Sequence, residues 1–466
     1  MAPAIGAVAA IAVALALAPA VAGEGRRRSK REVFAKALEE PFAGYCAHPP
    51  EAQRSSISGP VSEDELKPLG LEFEGAQVIF RHGARDMTSD HQCFYPMEDN
   101  FSGCDINSLV AYAYADGRRA RGPLVKEVLD AYPSGEPRGK PGCGRGVLLN
   151  EAEPQTRAFA REFRAAYFHR FRGGAPTPNS TRLASTDKMR TMATLFMLQD
   201  FLFGGGAAGA VSEPGKVFTR PLSSDHWDLN QPCPRAAGDR HSRAYTNSEA
   251  ARIVFPDFVA RWARAAGTEF EPAFKDCLLV AKCSGQQQLK LPEELQPDSP
   301  FFNETLHVAL RLFQDRYTTD PHGMRLLAAP SLLELADFAK QQAAGAGPKL
   351  ALWATHDTTI MVLLIALGLW DGQWPPYMDS ITVEVYRRSG PKAAGFFRLL
   401  HAGRVMMPYW CPSEATLGHG LCAVEHFLPE NIAVYSDPDE LAADCASVPA
   451  AFLREEGPSG AEGLAS

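Results

Sequence analysis

The chain from Gln77 to Arg85 reads Gln-Val-Ile-Phe-Arg-His-Gly-Ala-Arg, an apolar run that ends abruptly in charge. Its β-branched and aromatic residues, Val78, Ile79 and Phe80, predict a short buried strand. In open α/β sheets, ligands bind at the carboxyl ends of the strands, and a glycine there allows close approach of the backbone. Guanidinium groups match phosphate geometry, and an imidazole can attack phosphorus or relay a proton. These residues therefore indicate either an oxyanion site directly after the strand or a surface loop with solvated arginines.

A second strand-to-helix transition lies between Thr181 and Ala193, with the sequence Thr-Arg-Leu-Ala-Ser-Thr-Asp-Lys-Met-Arg-Thr-Met-Ala. It predicts a short strand followed by a helix that either Ser185 or Thr186 caps. Arg190 then falls in the first helical turn, where unpaired backbone N–H groups and the helix dipole favour an anion. The alternative is an ordinary arginine on a helix surface.

A third transition has the same form. An apolar strand over 349–355 runs directly into His356 and Asp357, and a helix over 360–367 is predicted next, with Gly368 as its C-cap. Taken alone, this pattern favours plain N-capping by Asp357 and a structural imidazole at His356. The three transitions support a catalytic site only when they are considered together.

Together, the three segments resemble the motifs of the histidine acid phosphatases, the branch of the histidine phosphatase superfamily whose signature is Arg-His-Gly-x-Arg. Residues 185–191 match the family's Ser-Thr-Asp-x-x-Arg-Thr in every fixed position. Residues 356–359 match its His-Asp-Thr-Thr element, and Trp-Pro-Pro-Tyr at 374–377 contains its Pro-Pro-Tyr element. The chain departs from the family at 146–152, where a Gly-x-Leu-Thr-x-x-Gly element is altered, and at Asp86, where relatives carry Ser-Pro or Tyr-Pro.

The resemblance implies hydrolysis of a phosphate monoester through a covalent phosphohistidine, with His82 as the nucleophile and Asp357 as the proton donor. It implies that the phosphoryl oxygens are bound by Arg81, Arg85, Arg190 and His356. An acid phosphatase acting on small phosphate monoesters is the main functional prediction. The alternatives are an enzyme for phosphorylated glycans similar to the 2-phosphoxylose phosphatases, a phytase-like enzyme, and an inactive phosphate-ester-binding protein on the same scaffold.

No cofactor or metal is expected. The candidate metal ligands Asp86, Asp90 and His91 are interpreted as a polar loop. The formal net charge of -8 and the pI near 5.9 argue against a nucleic-acid partner, whose binding surface requires a basic footprint. An anionic substrate must therefore be held by local positive charge. The sequence predicts no particular oligomeric state.

The expected fold class is α/β, with a mostly parallel central sheet flanked by helices and a smaller, mainly helical cap domain inserted into it. The 466 residues exceed the size at which a single core usually stops growing, so two lobes are expected. The predicted divisions are a signal peptide (1–22), an N-terminal arm (23–70), the first part of the phosphatase core (71–203), the cap (204–347), the second part of the core (348–450) and a flexible tail (451–466).

The first 22 residues are almost wholly Ala, Val, Ile, Leu and Pro, which is typical of a secretory signal peptide. A secreted or lumenal location is therefore predicted, and the sequons at Asn100, Asn179 and Asn303 agree with glycosylation in that pathway. The alternative is an uncleaved anchor, the one case in which a membrane partner is expected. The basic cluster at 26–31 would then hold the downstream chain in the cytoplasm.

The 10 cysteines lack CxxC spacing and, after a signal peptide, indicate up to five disulfides. The family resemblance implies a local Cys411–Cys422 bridge and a long-range Cys233–Cys445 bridge. Cys277 and Cys283 are expected to pair locally, since the partner position expected near Ser380 holds no cysteine. The pairing of the remaining cysteines is left open: Cys46, Cys93, Cys104 and Cys143.

Overall fold

A mixed β-sheet forms the centre of the protein, as seen in a computed structural model that describes residues 42, 45–46, 57–88, 146–204, 216–221, 224–229, 233, 247–284, 291–297, 299–318, 321–388, 394–435 and 438–446. The strands are β1 (Leu71–Arg81), β2 (Thr181–Ser185), β3 (Val217–Phe218), β4 (Leu350–Thr355), β5 (Ser380–Arg388), β6 (Gly395–His401), β7 (Arg404–Met406) and β8 (Cys422–Ala423). Their order in the sheet is β3-β2-β4-β1-β5-β6-β7, with β8 paired to β6.

Helices cover this sheet and also form a region inserted between β3 and β4, which is called the inserted region and consists of helices α4 to α7 (247–318). They are α1 (Glu63–Leu66), α2 (Ala152–Tyr167), α3 (Met189–Phe203), α4 (Asn247–Val254), α5 (Pro256–Ala266), α6 (Phe274–Ser284), α7 (Pro300–Thr318), α8 (Pro321–Ala343), α9 (Asp357–Ala366), α10 (Glu430–Ala433) and α11 (Pro438–Ala446). The predicted α/β class, with a central sheet flanked by helices, is confirmed.

The sheet is parallel on one side and antiparallel on the other. Strands β3, β2, β4 and β1 are parallel neighbours, whereas β5 joins β1 in the antiparallel sense and continues into β6, β7 and β8. Parallel neighbours need long crossover connections, and the short connections between β5, β6 and β7 allow only antiparallel pairing. All three predicted motifs follow strands of the parallel half.

Strand β1 lies in the middle of the sheet, between β4 and β5. It is buried along nearly its whole length, and its residues alternate between two hydrophobic clusters, with Val78 and Phe80 on one face and Ile79 on the other. A strand covered on both faces requires a continuous apolar run rather than an alternating one. The strand predicted from Val78 to Phe80 is therefore confirmed.

The two faces of the sheet are covered by different helices. Helices α2 and α3 pack on the face that carries Val78 and Leu352. Helices α8 and α9, together with the helices of the inserted region, belong to the cluster that contains Ile79 and Trp353. In β1, the Gln77 side chain donates a hydrogen bond to the carbonyl of Leu335, 3.1 Å away, and so attaches α8 to the sheet.

Within this cluster, the inserted region packs around a group of aromatic side chains. Trp262 of α5 is fully buried, and its ring lies 5.1 Å from those of Phe270 and Phe274 between centroids. Phe258 packs against Phe270 edge-on at 4.9 Å. Such aromatic contacts stabilise a small helical unit beyond the area they bury. This packing holds α6, which carries residues that reach the site described below.

Two of the expected disulfides are confirmed and one is wrong. Cys411 bonds to Cys422, and Cys233 bonds to Cys445. Cys277 and Cys283 do not pair with each other: Cys283 bonds to Cys46, and Cys277 takes part in a different disulfide. Both residues belong to α6, and a six-residue separation turns them to different sides of a helix, about 9 Å apart along its axis and too far for a bridge.

Other expectations on processing and location fall partly outside the described residues. The signal peptide, Asn100, Cys93, Cys104 and Cys143 all lie outside them. Asn179, in a 3-10 turn before β2, and Asn303, on α7, are exposed, as a glycosylation site requires. None of the helices in the described part of the chain is long and apolar enough to cross a membrane.

Candidate active site

The carboxyl ends of β1, β4 and β2, which are adjacent in the sheet, carry the three predicted motifs. The rings of His82 and His356 lie 5.6 Å apart between centroids. Nη2 of Arg190 lies 3.4 Å from Nδ1 of His356, and Nη2 of Arg81 lies 2.9 Å from Oδ2 of Asp357. Residues that are far apart in the chain therefore lie close together at the carboxyl ends of three adjacent strands.

His82 has a fixed tautomer. Its Nδ1 lies 2.8 Å from the carbonyl oxygen of Gly83, which can only accept, so Nδ1 carries the proton and Nε2 presents a lone pair. The ring is 1% exposed. Burial, followed by the positive charges of Arg190, Arg81 and Arg85, lowers the pKa of His82 well below its usual range. The imidazole therefore stays neutral in mildly acidic solution.

Gly83 serves a purpose other than the one expected from the sequence. A Cβ at this position would lie only 2.7 Å from Cβ of Ala152, the first residue of α2. The backbone N–H of Gly83 donates to Oγ1 of Thr194, and that of Ala84 donates to Oε1 of Gln155. The missing side chain thus allows the loop after β1 to pack on α2 and α3.

His356 is held from both ring nitrogens. Its Nε2 lies 2.9 Å from Oδ1 of Asp228 and 3.0 Å from Oγ1 of Thr186. Nε2 therefore donates to the carboxylate, and Nδ1 accepts from Arg190. Burial and the charge of Arg190 lower the pKa of His356 to about 4, although Asp228 opposes the shift. In this arrangement, His356 orients Arg190. To donate a hydrogen bond to an anion, its Nδ1 would also have to be protonated.

Arg190 is confirmed in the first turn of its helix, as the second residue of α3. The expected N-cap is wrong: the N-cap position is Lys188, and no side chain caps the helix. Ser185 still belongs to β2, and the Oγ1 atom of Thr186 is engaged with His356 and Thr191. The helix therefore starts later than the capping pattern indicated.

Asp357 begins α9, with His356 as the N-cap residue. Its Oδ2 accepts from Nη2 of Arg81 at 2.9 Å and from the indole Nε1 of Trp374 at 3.0 Å. Burial by itself would raise the pKa of Asp357, but the charges of Arg81, Lys275 and Arg85 outweigh it. The pKa is held far below its usual range, so the carboxyl is ionised when no substrate is bound.

Arg81 is completely buried and tightly positioned. Its Nη1 donates to the carbonyl of Pro375 at 2.7 Å, and its Nη2 donates to the hydroxyl of Tyr45 at 2.6 Å. The guanidinium also lies over the rings of Tyr45 and Tyr377, at 4.6 and 4.2 Å from their centroids. Contact with these two aromatic rings, which are themselves 5.1 Å apart between centroids, helps to hold the cation in place.

Arg85 is paired with a carboxylate from the inserted region. Its Nη1 and Nη2 lie 3.1 and 2.8 Å from the two carboxylate oxygens of Asp276 on α6. The same carboxylate accepts from the backbone N–H and the hydroxyl of Thr88. Burial alone would raise the pKa of Asp276, but Arg85 and Lys275 lower it to about 2. The pair is thus ionised, and it connects the loop after β1 to the inserted region.

Three arginines of the site retain an unused donor. Within the described part of the chain, the Nε–H groups of Arg81, Arg85 and Arg190 are buried and have no hydrogen-bond partner. A buried donor without an acceptor is costly, whereas a charged acceptor that reaches it forms a strong hydrogen bond. The site is therefore suited to an anion with several oxygen atoms.

The loop predicted at Asp86 is seen only in part. Asp86 is buried, and its Oδ1 accepts from the backbone N–H of Met87 at 2.6 Å. Asp90 and His91 lie outside the described residues. The side chain of Asp86 therefore has a local structural contact beside the arginine cluster.

Several residues of the site were not foreseen as functional from the sequence. They are Tyr45, Asp228, Lys275, Asp276 and Trp374. Trp374 stands next to the Pro-Pro-Tyr element, so that motif was an available signal. The other four have no motif of their own and reach the site only through the packing of distant segments.

Known proteins similar to this chain are phosphatases, although no family model matches it. A testicular acid phosphatase of Homo sapiens is 37% identical over 305 residues, covering 61% of this chain and 68% of that protein. A lysophosphatidic acid phosphatase type 6 of Homo sapiens is 23% identical over 440 residues, covering 89% of this chain and 96% of that protein.

Among solved structures, a multiple inositol polyphosphate phosphatase from Bifidobacterium longum in complex with phosphate superposes with a TM-score of 0.52. The superposition covers 81% of this chain and 94% of the bacterial protein, and the sequences are 12% identical. This similarity therefore shows a shared fold and nothing more. With these similarities, the fold and the arginine–histidine cluster define a phosphoric monoester hydrolase, an enzyme that acts on phosphate esters. The chain belongs to the histidine acid phosphatase family.

Proposed function

We propose that the protein hydrolyses phosphate monoesters in two steps through a phosphohistidine on Nε2 of His82. In the first step, Nε2 forms a bond to phosphorus, the bond to the leaving oxygen breaks, and Asp357 protonates that oxygen. In the second step, water attacks phosphorus, Asp357 takes its proton, and the phosphorus–nitrogen bond breaks. The proton on Asp357 then leaves with the product phosphate, so atoms and protons balance and the enzyme returns to its starting state with Asp357 ionised.

The tautomer of His82 is the observation that carries this proposal. The hydrogen bond from Nδ1 to the carbonyl of Gly83 leaves the Nε2 lone pair free, and the lowered pKa keeps it free in acid. A nucleophilic imidazole needs both features. A histidine that served only to bind phosphate would need a proton on the nitrogen that faces the anion.

The arginine cluster supplies the electrostatic part of the reaction. In the proposal, Arg81, Arg85 and Arg190 bind the phosphoryl oxygens, and their unpaired Nε–H donors support this role. Charge spreads over these oxygens in the transition state, so fixed cations stabilise it most. His356 contributes by orienting Arg190 and binds an oxygen itself when Nδ1 is protonated.

The proton that Asp357 donates must arrive with the substrate or after it. The neighbouring cations keep this carboxyl ionised in the free enzyme. A phosphate monoester carries one proton below about pH 6. In the proposal, the bound phosphoryl group offsets the charges of Arg81 and Arg85 that hold the pKa of Asp357 low, so the substrate monoanion can pass its proton to Asp357. This route favours catalysis in acid.

Replacement of His82 tests the nucleophile. His82→Ala should abolish turnover and also the labelling of the protein by a ³²P-labelled substrate after an alkaline quench, which preserves phosphohistidine. His169→Ala, on an exposed histidine, is the matched control and should retain both signals. Turnover or label that survives in His82→Ala would exclude the proposed intermediate.

A second variant tests the proton donor. Asp357→Asn should slow alkyl phosphates, which have poor leaving groups, far more than aryl phosphates with good ones, since only poor leaving groups depend on a proton. The ratio of the two values of kcat/KM is the measurement. An equal loss for both kinds of ester would remove the acid role from Asp357.

Lysophosphatidic acid is a second candidate substrate, because the relative named for it matches 89% of this chain and 96% of its own length. A panel should compare it with an aryl phosphate, a 2-phosphoxylosyl glycan and inositol hexakisphosphate. Broad activity on small esters is the expected result. Strong preference for one of the other three would replace the broad acid-phosphatase proposal with the corresponding specific enzyme.

We also propose a secreted or lumenal location. The three disulfides in the described part of the chain support it, because such bonds persist in oxidising compartments. N-terminal sequencing of protein recovered from the medium should begin after residue 22. Recovery with the membrane fraction and an intact leader would favour the anchored alternative.

A further inference from the structure

Lys275 precedes Asp276 on α6 and brings a second charge from the inserted region to the catalytic edge of the sheet. Its ammonium nitrogen lies 4.3 Å from the ring centroid of Trp374 and 4.4 Å from that of Phe313. The side chain is partly exposed. Contact with aromatic faces uses none of the three N–H donors of a lysine, so its capacity for hydrogen bonding is retained.

This ammonium group is free of polar partners within the described residues. Its contacts are the two aromatic rings, and it forms neither a hydrogen bond nor a salt bridge there. By contrast, Arg81 is paired with Asp357, and Arg85 is paired with Asp276. A half-buried lysine that forms no direct hydrogen bond or salt bridge near a catalytic cluster is available to bind an anion, although Asp276 and Asp357 lie within electrostatic range.

The position of Lys275 relative to Asp357 defines which part of a substrate it would meet. Trp374 joins the two residues, because its ring face contacts the ammonium and its Nε1 donates to Oδ2 of Asp357. Asp357, in the proposed mechanism, faces the oxygen of the leaving group. Through Trp374, Lys275 therefore lies close to Asp357, which is the leaving-group side of the pocket in the proposed mechanism.

We propose that Lys275 forms a subsite for a second anionic group carried by the leaving alcohol. The favoured substrates are phosphate monoesters with a carboxylate or a further phosphate close to the ester oxygen. This inference rests on the proposed function, since it takes the role of Asp357 from it. It predicts poorer use of esters whose only negative charge is on the transferred phosphate.

Lys275 also acts on the pKa of Asp357, and an experiment must separate this effect from the binding of a second anionic group. Its charge contributes to holding the pKa of Asp357 low, so its removal would change proton transfer for every substrate. A change in proton transfer affects esters with and without a second charge alike. A subsite affects only those with one. A pair of substrates with similar leaving oxygens therefore separates the two roles.

The experiment compares 3-phosphoglycerate, which carries a carboxylate, with glycerol 3-phosphate, which lacks one. Lys275→Met should lower kcat/KM for 3-phosphoglycerate at least about tenfold more than for glycerol 3-phosphate, as expected for loss of one charge-assisted hydrogen bond. Lys275→Arg should restore most of the difference. Lys282→Met, two turns along α6, is the matched control and should leave the ratio unchanged.

Binding provides an independent arm of the same test. Titration calorimetry of both esters is carried out on His82→Ala, with and without Lys275→Met. Only 3-phosphoglycerate should lose affinity on removal of the lysine. If the wild-type enzyme hydrolyses neither of these esters and no member of the substrate panel, the proposed function fails, and the calorimetric difference still decides the subsite.

Two results would overturn the subsite. One is an equal loss of kcat/KM for both esters in Lys275→Met, which would mean that the lysine acts on the pKa of Asp357 or on packing. The other is unchanged binding of 3-phosphoglycerate. If Lys275→Met has a lowered thermal midpoint, Lys275→Gln serves as the second variant, because it keeps a polar side chain of similar length without the charge.

Discussion

At the scale of single residues, three histidines, of which His82 and His356 are buried and His401 is partly buried, differ in the charges that surround them. His82 faces arginines, and His356 lies beside Arg190, so burial and positive charge both lower their pKa values. His401 lies 2.9 Å from Oδ2 of Asp379, and this carboxylate raises its pKa above the usual value even though burial opposes the shift. The same side chain is thus adjusted in opposite directions within one protein.

This contrast predicts different protonation states at pH 5.5. His356, whose pKa is lowered to about 4, should be neutral, and so should His82, whose pKa is held well below 6.5 by burial and the arginines. His401 should be charged because Asp379 raises its pKa above 6.5. Imidazole ¹⁵N chemical shifts report both protonation and tautomer, with assignments made by single replacements. His82 should show a protonated Nδ1. A shared midpoint near 6.5 for all three would contradict this electrostatic account.

The pair of Arg85 and Asp276 leads to a second prediction for single residues. Both Nη atoms of Arg85 are held by the carboxylate, so its Nε–H is fixed in direction. Asp276→Asn should let the guanidinium rotate and should raise the inhibition constant of inorganic phosphate about tenfold, equivalent to one well-oriented charged contact. Asp315→Asn, on a surface pair of α7, is the control. Tighter binding of phosphate would instead mean that Asp276 competes with the substrate for Arg85.

At the scale of elements, the strands that carry the motifs could be predicted because each is a short apolar run buried on both faces. Val78 to Phe80 shows this most clearly, since helices cover both faces of β1 while β4 and β5 pair with its two edges. The antiparallel half of the sheet was not foreseen, because pairing direction depends on the length of connections rather than on composition. The helix start at Met189 was misplaced because Thr186, a good capping residue, is engaged by His356 instead.

The partners of the motif residues could not be predicted in the same way. Asp228, Lys275 and Tyr45 lie in a turn, a helix of the inserted region and an N-terminal segment. None of these segments has a pattern that indicates a catalytic contact. Their approach to the site depends on how distant elements pack, and a single sequence carries no local signal for that packing.

A buried polar network connects β5, β6 and α2. Glu384 and Arg398 are direct cross-strand partners, with Nε of the arginine 2.6 Å from Oε2. The hydroxyls of Tyr167 and Tyr386 donate to the two oxygens of the same carboxylate, each at 2.7 Å. The N-terminal segment joins the network, since Arg398 also donates to the carbonyl of Gly59.

Removal of the cation from this network should be strongly destabilising. Arg398→Met leaves the carboxylate of Glu384 buried without a counter-ion, which typically costs about 3–5 kcal/mol of unfolding free energy. Arg404→Met, on an exposed strand residue, should change it by less than about 0.5 kcal/mol. Urea denaturation measures both. Addition of Glu384→Gln to Arg398→Met should recover part of the loss, and no recovery would contradict the electrostatic explanation.

At the scale of the whole molecule, the inserted region and the N-terminal segment meet the core at the catalytic edge. Helix α6 carries Asp276, which binds Arg85, and Cys283, which bonds to Cys46. The residue before Cys46 is Tyr45, whose hydroxyl accepts from Arg81. One disulfide therefore ties two distant segments together beside the site, where a local Cys277–Cys283 bridge would have tied neither.

The Cys46–Cys283 bridge is therefore expected to affect both stability and activity. It joins residues 237 apart in sequence, whereas Cys411–Cys422 joins residues 11 apart. Loop-closure entropy makes the longer bridge worth about 5 kcal/mol and the shorter about 3 kcal/mol. The double replacement Cys46→Ala with Cys283→Ala should thus lower the unfolding free energy more than Cys411→Ala with Cys422→Ala.

Measurements of activity should also distinguish the two bridges, because only the Cys46–Cys283 bridge holds Tyr45 next to Arg81. Well below the thermal midpoint, its removal should reduce kcat/KM by about as much as Tyr45→Phe does, since both weaken the same hydrogen bond to the buried guanidinium. Loss of the Cys411–Cys422 bridge should leave kcat/KM unchanged at that temperature. Full activity without the Cys46–Cys283 bridge would mean that packing of Tyr45 against Tyr377 holds Arg81 without help from the disulfide.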